Sequence, residues 1–139
     1  EASAAELRAG GIDAEAVDLA QPLAWRRRRD RYGAIVAAIA ASGGDEAAYR
    51  RAYIDATRGL LESDAARGAA FVYIGSTGIF GQSDGSVVDE LTAPQPVDAT
   101  SVVLLEAERL VLDRSLHGVP SRIVRCSGLY GPQSAAPLR

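Results

Sequence analysis

Two short apolar runs, Ala34 to Ala41 and Ala70 to Ile74, and a third strand-like segment, Ser121 to Cys126, are separated by two long amphipathic segments. That spacing constrains the fold more than any other feature of the chain. Strands joined by segments this long cannot form hairpins, and they pair in parallel through crossovers. Crossovers of this kind are right-handed. An uninterrupted run such as Ala34 to Ala41 is expected of a strand covered on both faces. The alternation therefore predicts an α/β fold: a parallel sheet with helices on both faces.

The segments between the runs read as helices. Asp45 to Arg67 carries apolar residues at Ala48, Ala52, Ala56, Leu60 and Leu61 and is closed by Gly68. Thr100 to Leu116 places Val103, Leu104, Ala107, Leu110 and Val111 on one side, and Gly118 and Pro120 end it. Upstream, Ala2 to Ala9 reads as a helix stopped by Gly10 and Gly11, Glu15 to Asp18 as a short strand, and Pro22 to Arg29 as a short helix. Asp84 to Ala99 and Ser127 to Pro137 read as loops. Ligands in such sheets bind beyond the carboxyl ends of the strands. The loops after Asp18, Ala38 and Ile74 are therefore the ones to watch.

Composition bounds the chemistry. The 139 residues suffice for one compact domain. There is no Met, which predicts a fragment or trimmed chain rather than one that begins at its own start codon. All fifteen basic residues are Arg, so no mechanism within this chain can use a Lys. The net charge of −3 argues against a nucleic-acid footprint. The one basic cluster, Arg26 to Arg31 around Asp30, reads as a solvated face, with an anion contact as the alternative. A single cysteine, Cys126, offers no internal disulfide, and no apolar stretch approaches the ~18 residues of a membrane span. A cytoplasmic protein is the expectation. His117, the only His, reads as a cap at a helix end, and with Cys126 it makes no metal-ligand set.

Three stretches carry a resemblance. Phe71-Val72-Tyr73-Ile74-Gly75-Ser76-Thr77-Gly78-Ile79-Phe80-Gly81 runs a strand into a hydroxyl-rich turn and an aromatic-Gly pair. Arg125-Cys126-Ser127-Gly128-Leu129-Tyr130-Gly131-Pro132 ends a strand in a Tyr-Gly-Pro loop. Tyr53-Ile54-Asp55-Ala56-Thr57-Arg58-Gly59-Leu60-Leu61 is similar to a helix segment with Asn-Val-x-Gly-Thr, with Tyr53 for the Asn and Ala56 for the Gly. With Val88-Asp89-Glu90, Pro94-Gln95-Pro96 and Ala107-Glu108 between them, the chain resembles the extended short-chain dehydrogenases/reductases of the NAD-dependent epimerase/dehydratase type. The resemblance implies a three-layer Rossmann-type doubly wound parallel sheet, here incomplete, that binds NAD or NADP and acts on a sugar nucleotide or similar carbonyl compound.

It also implies roles for particular residues. Ser76, with Thr77 beside it, falls where the family hydrogen-bonds the reacting substrate oxygen; a turn cap is the plainer role for Ser76. Asp18-Leu19 matches the Asp-Leu pair that contacts adenine, and a strand-ending Asp is otherwise a turn residue or N-cap. Ala38, Ile39 and Ala40, after Ala37 in place of the family's His, are small enough to let a dinucleotide approach. Ile74, Gly75, Cys126 and Ser127 lie at strand ends turned toward the cofactor.

Two departures stand out. Counting back from Ala107-Glu108 places Thr100 and Leu104 where the family has its acid/base Tyr and its Lys. A Thr cannot replace a phenol as an acid/base near neutral pH, nor a Leu a cation. The Gly-x-x-Gly-x-x-Gly pyrophosphate turn and the C-terminal substrate region are expected outside Glu1 to Arg139. The alternative function is a non-catalytic NAD(P)-binding sensor or partner-binding protein. The resemblance further implies pairing of the two long helices across a homodimer.

Overall fold

The computed structural model describes residues 4–21, 31–129 and 131. Helix α1 spans Ala4–Ala9, and strand β1 spans Ala34–Ala37. A long helical segment follows in three parts: α2 (Glu46–Tyr49), a π-helical stretch (Arg50–Asp55) and α3 (Ala56–Leu61). Strand β2 (Ala70–Ser76), helix α4 (Ala99–Leu116) and strand β3 (Ser121–Cys126) complete the order. The sheet is parallel throughout, in the order β1-β2-β3. This is the incomplete Rossmann-type α/β sheet expected from the sequence. Pro22 to Arg29, and the Arg cluster apart from Arg31, lie outside the described residues. So does most of the Tyr-Gly-Pro loop.

The core lies on one side of the sheet. Ile35, Ala37, Phe71, Tyr73 and Ile123 point from the strands into a cluster with Ile54 and Leu60 of the first helical segment and Val103, Ala107 and Val111 of α4. Two right-handed crossovers that step the same way across a sheet put both helices on the same face. Hence Val36 and Val124 on the other face stay 65% and 46% exposed, where the apolar runs had suggested cover on both. β1 is also shorter than the expected Ala34 to Ala41. Its four paired residues match Ala70 to Tyr73 of β2, and Ala38 to Ala41 leave the ladder. Alanines have little strand preference of their own, so the run alone does not fix where the strand stops.

The first helical segment is interrupted rather than uniform. The Asp45 carboxylate accepts from the Ala48 amide at its start. Farther on, the Ala56 amide donates to the Arg51 carbonyl, five residues back, where an α-helix would reach four. Ile54, Ala56, Thr57 and Leu60 are buried, while Ala48 and Ala52 of the expected face are only half-buried. The helix ends at Leu61, and a 3₁₀ turn at Asp64–Ala66, capped by Ser63, fills the rest of the stretch to Gly68.

Helix α4 matches its expected face closely, with Val103, Ala107 and Val111 fully buried. Its start is a reciprocal cap: Asp98 accepts from the Ser101 amide at 2.7 Å, and the Ser101 hydroxyl lies 3.2 Å from the Asp98 amide. His117 ends the helix, its Nδ1 2.8 Å from the Asp113 carbonyl, as the cap expected of it. The Thr100 hydroxyl and the Ser101 amide hold the Asp98 carboxyl below the ordinary 3.8. A folded value below the unfolded one means the cap stabilises fully above about pH 4 and loses this contribution as pH falls through the folded value. Asp98→Asn keeps an acceptor but cannot titrate. Thermal melts over a pH series should show the variant less stable at pH 7 and the gap narrowing as the pH falls below about 4. A constant gap would rule out the charge as the source.

Among the described residues no helix is long and apolar enough to cross a membrane, and no cluster of His, Cys, Asp and Glu could hold a metal.

Candidate dinucleotide and substrate site

Because the strands are parallel, their carboxyl ends open on one side. Ser76 pairs in register with Cys126, and Gly75 with Arg125. β1's last paired residue, Ala37, sits opposite Tyr73, so Ala38, Ile39 and Ala40 leave the sheet at the level of Ile74. The structure therefore gathers Ile74, Gly75, Ser76, Thr77, Cys126 and Ser127 at one end of the sheet, with Ala38 to Ala40 alongside.

The two hydroxyls there differ. The Thr77 hydroxyl donates to the Cys126 carbonyl at 3.4 Å and ties the ends of β2 and β3 together. The half-buried Ser76 oxygen accepts from the Gly78 amide at 3.0 Å, which fixes the 3₁₀ turn Thr77–Ile79. That is the turn-capping role, and it uses only the oxygen's lone pair. Among the described residues no acceptor takes the Ser76 proton, so the hydroxyl keeps a donor for a ligand oxygen.

Beneath this turn lies an ion pair that sequence reasoning missed. Glu108, 1% exposed, accepts from Arg125 through both oxygens, with Nε at 3.1 and 3.2 Å and Nη2 at 2.9 Å. The Arg125 guanidinium also lies 5.2 Å from the centre of the Phe80 ring. A Cβ on Gly75 would stand 2.7 Å from Glu108 Oε1, so Gly75 makes the room the carboxylate occupies. Ala107-Glu108 and Arg125 were legible only as pieces of two motifs. A glycine inside a strand, opposite an acid on a core-facing helix, was the signal that joined them.

Asp18 is placed differently from expectation. Glu15 to Asp18 makes no strand, for no described segment offers it a ladder. Instead Asp18 closes a turn, accepting from the Ala20 amide at 3.1 Å and Gln21 Nε2 at 3.2 Å. It pairs with Arg51 Nη2 at 2.5 Å. Asp18, Leu19, Ile39 and Ala40 together line a groove of about 260 Å³, closed on the helix side by Arg51 and Ala52. Leu19 and Ile39 extend into a second groove of about 410 Å³, where Ala38 joins them along β1. The expected adenine-side residues thus come together, with Arg51 as a member the sequence did not suggest.

The positions of the usual acid/base pair carry no equivalent chemistry. The Thr100 hydroxyl donates to Asp98 Oδ1 at 2.6 Å and belongs to the helix cap. Leu104 is half-buried and apolar. Tyr73, the nearest phenol along β2, is 1% exposed, and burial pushes it up, so it stays protonated and out of reach.

Comparison with known proteins agrees with this geometry. The structure of RMD from Pseudomonas aeruginosa complexed with NADPH superposes with a TM-score of 0.74 at 24% identity, over 87% of this chain and 46% of that one. The UDP-Glc/GlcNAc 4-epimerase of Campylobacter jejuni superposes at 0.72 with 20% identity, over 87% and 40%. A Burkholderia cenocepacia J2315 protein named as a candidate epimerase superposes at 0.67 with 28% identity, over 97% and 52%. The chain spans about half the length of these proteins or less. No curated protein matches it significantly. The NAD dependent epimerase/dehydratase family matches residues 5–138, nearly the whole sequence, and the chain belongs to that family.

Proposed function

We propose that this chain is part of an NAD(P)-dependent epimerase/dehydratase-like or reductase-like protein that acts on a sugar nucleotide or similar carbonyl compound, with Thr100 and Leu104 in place of the usual Tyr and Lys. The observation that carries this reading is Ser76. Its hydroxyl stands at the carboxyl ends of the strands, is held in place by the Gly78 amide, and keeps its proton to donate. A fixed donor aimed at an oxygen that gains negative charge stabilises that charge without reorganisation. The dinucleotide would supply the hydride acceptor or donor. The groove lined by Asp18, Leu19, Ile39 and Ala40 has the size and apolar walls for one ring of it, beside the strand ends. Structural neighbours described with NADPH, or with NAD in a UDP-glucuronic acid 4-epimerase from Bacillus cereus, support the cofactor class.

Within this reading Ser76 is catalytic, Thr77 beside it ties the ends of β2 and β3 together, and Gly75, Ile74, Cys126 and Ser127 border the cofactor. A cytoplasmic location belongs to the same proposal. So does a homodimer packed through α4, where Leu112 and Leu116 are 45% and 84% exposed.

The test is oxidation of NADH and NADPH by the full-length protein on a panel of carbonyl compounds and sugar nucleotides. Ser76→Ala should cost on the order of 10²-fold or more in kcat, the loss typical of an oxyanion donor, with dinucleotide affinity unchanged. The second reading, a non-catalytic NAD(P)-binding protein, is favoured by Thr100, whose hydroxyl is committed to Asp98. Dinucleotide binding without turnover on any panel member would select it.

A further inference from the structure

The ion pair of Glu108 and Arg125 reaches beyond its own burial. The N–H groups of a guanidinium lie in its plane, and its flat face is free to stack. Glu108 takes the edge of Arg125, accepting from Nε and Nη2. That holds the plane still, with the Arg125 side chain only 22% exposed, and leaves a face open. The Phe80 ring meets it, with the central guanidinium carbon 5.2 Å from the ring centre. The ring face is negative and attracts the cation, so the contact sets a position as well as burying area.

Phe80 stands at the far end of the turn that follows Ser76. Its amide donates to the Thr77 carbonyl at 3.0 Å and closes the 3₁₀ turn Thr77–Ile79. The Gly78 amide inside that turn is the donor that holds Ser76 Oγ. At the near end the Thr77 hydroxyl is tied to the Cys126 carbonyl. The turn is thus anchored on consecutive residues of β3, at its start by Cys126 and beyond its end by Arg125. Gly75 completes the arrangement. It pairs in register with Arg125, and its missing Cβ leaves the room that Glu108 fills beneath that pair.

We propose that Phe80 is a positioning residue for the Ser76 hydroxyl, seated by the Arg125 guanidinium that Glu108 holds. The proposal rests on the catalytic reading of Ser76 above, and Phe80 touches no reacting atom in it. A ring that leaves its seat carries the Thr77 carbonyl and the Gly78 amide with it. Ser76 Oγ then loses the donor that holds it, and the hydroxyl stays in the site without a fixed direction. Such a loss falls on the chemical step rather than on binding, since a misplacement of ~1 Å can cost ~10²-fold in rate.

Phe80→Leu keeps an apolar side chain and removes the ring face. In NADH oxidation by the full-length protein on the panel above, kcat should fall about tenfold while KM and NADH affinity hold. Phe80→Tyr, which keeps the face, should restore the rate. In a Ser76→Ala background Phe80→Leu should cost less than about twofold, because nothing is left to position. Amide exchange reads the turn directly. Exchange at Gly78 should quicken about tenfold in Phe80→Leu, while the Ser101 amide in the cap of α4 keeps its rate. Thr77→Val cuts the other anchor at constant shape. It should quicken Gly78 in the same way, and it serves as the test if Phe80→Leu does not fold. Unchanged exchange at Gly78, or an unchanged kcat, overturns the proposal and leaves the catalytic reading standing. So does an equal loss of kcat in the Ser76→Ala background, or faster exchange at Gly78 and Ser101 together, because Phe80 would then only be holding the fold. If Ser76→Ala itself leaves kcat unchanged, or the parent turns over no panel member, the catalytic reading of Ser76 falls and this proposal with it.

Discussion

Arg125→Ala should destabilise the protein by about 3–5 kcal/mol, the cost of stripping a buried charge of its partner. The Glu108 carboxylate is 1% exposed, and every hydrogen bond described for it comes from Arg125. Gly75 of β2 leaves room for the carboxylate but brings no side-chain donor to it. Truncation at Arg125 also removes the cation stacked on Phe80, so the turn that carries Ser76 loses a wall. Arg125→Lys should recover only part of the loss, since an ammonium cannot reproduce a planar two-pronged contact. A double change of Glu108 and Arg125 to Leu should cost much less than Arg125→Ala alone, because apolar replacement of a whole buried pair is often nearly neutral. Urea unfolding of the three variants would decide it. A loss below about 1 kcal/mol in Arg125→Ala, the range of surface pairs, would mean that the pair is solvated and not a structural clamp.

What could be read beforehand follows a physical division. α4 was legible to within a residue because its face is carried by Val103, Ala107 and Val111 at helical spacing, and because Gly118, at φ +80°, can end it where few other residues could. β3 was legible because turn residues bracket it tightly. The two places that misled share a cause: local pattern cannot report on neighbours. Ala34 to Ala41 is apolar throughout, yet only Ala34–Ala37 finds a ladder, and among the described residues no helix covers its outward side chains. Glu15 to Asp18 has a strand's composition but no strand beside it among the described residues. The π-helical stretch is equally invisible, for nothing in Arg50 to Asp55 distinguishes an amide that reaches back five residues from one that reaches four. At the site, the grouping of Ser76 with Cys126 was foreseeable from parallel topology, while Asp18 reached Ala40 from a turn and not from the strand expected of it. The partners of Glu108 and Arg51 were not foreseeable, since their meeting depends on how helices rotate against the sheet. The difference matters for function, because the residues found only in the structure are the ones that hold the foreseeable ones in place.

Gly81→Ala should be the second costly change, and for a reason of space. A Cβ at this position would lie 2.3 Å from the Gln95 carbonyl oxygen and 2.4 Å from Val97 Cγ1. The Val97 methyl can turn away, but a backbone oxygen can move only with its chain. That chain is pinned on both sides. The Gln95 amide donates to the Ile79 carbonyl at 3.0 Å, and Gln82 Nε2 donates to the Ala93 carbonyl at 3.3 Å. Three residues beyond Gln95, Asp98 caps α4. Relief of the clash therefore pulls the loop off the 3₁₀ turn that follows Ser76, or strains the cap of the best-packed helix. Overpacking of this kind costs about 1–3 kcal/mol. Gly128→Ala is the control, since a Cβ there meets nothing within 4 Å and its φ is not positive. Thermal melts should separate the two variants clearly, and amide exchange should show lost protection at Gln95 in Gly81→Ala alone. Equal melting temperatures would mean that the loop is not seated on Gly81. A displaced loop in a variant that still binds NADH but turns over slowly would show that the aromatic-Gly pair after β2 serves chiefly to aim the Ser76 hydroxyl.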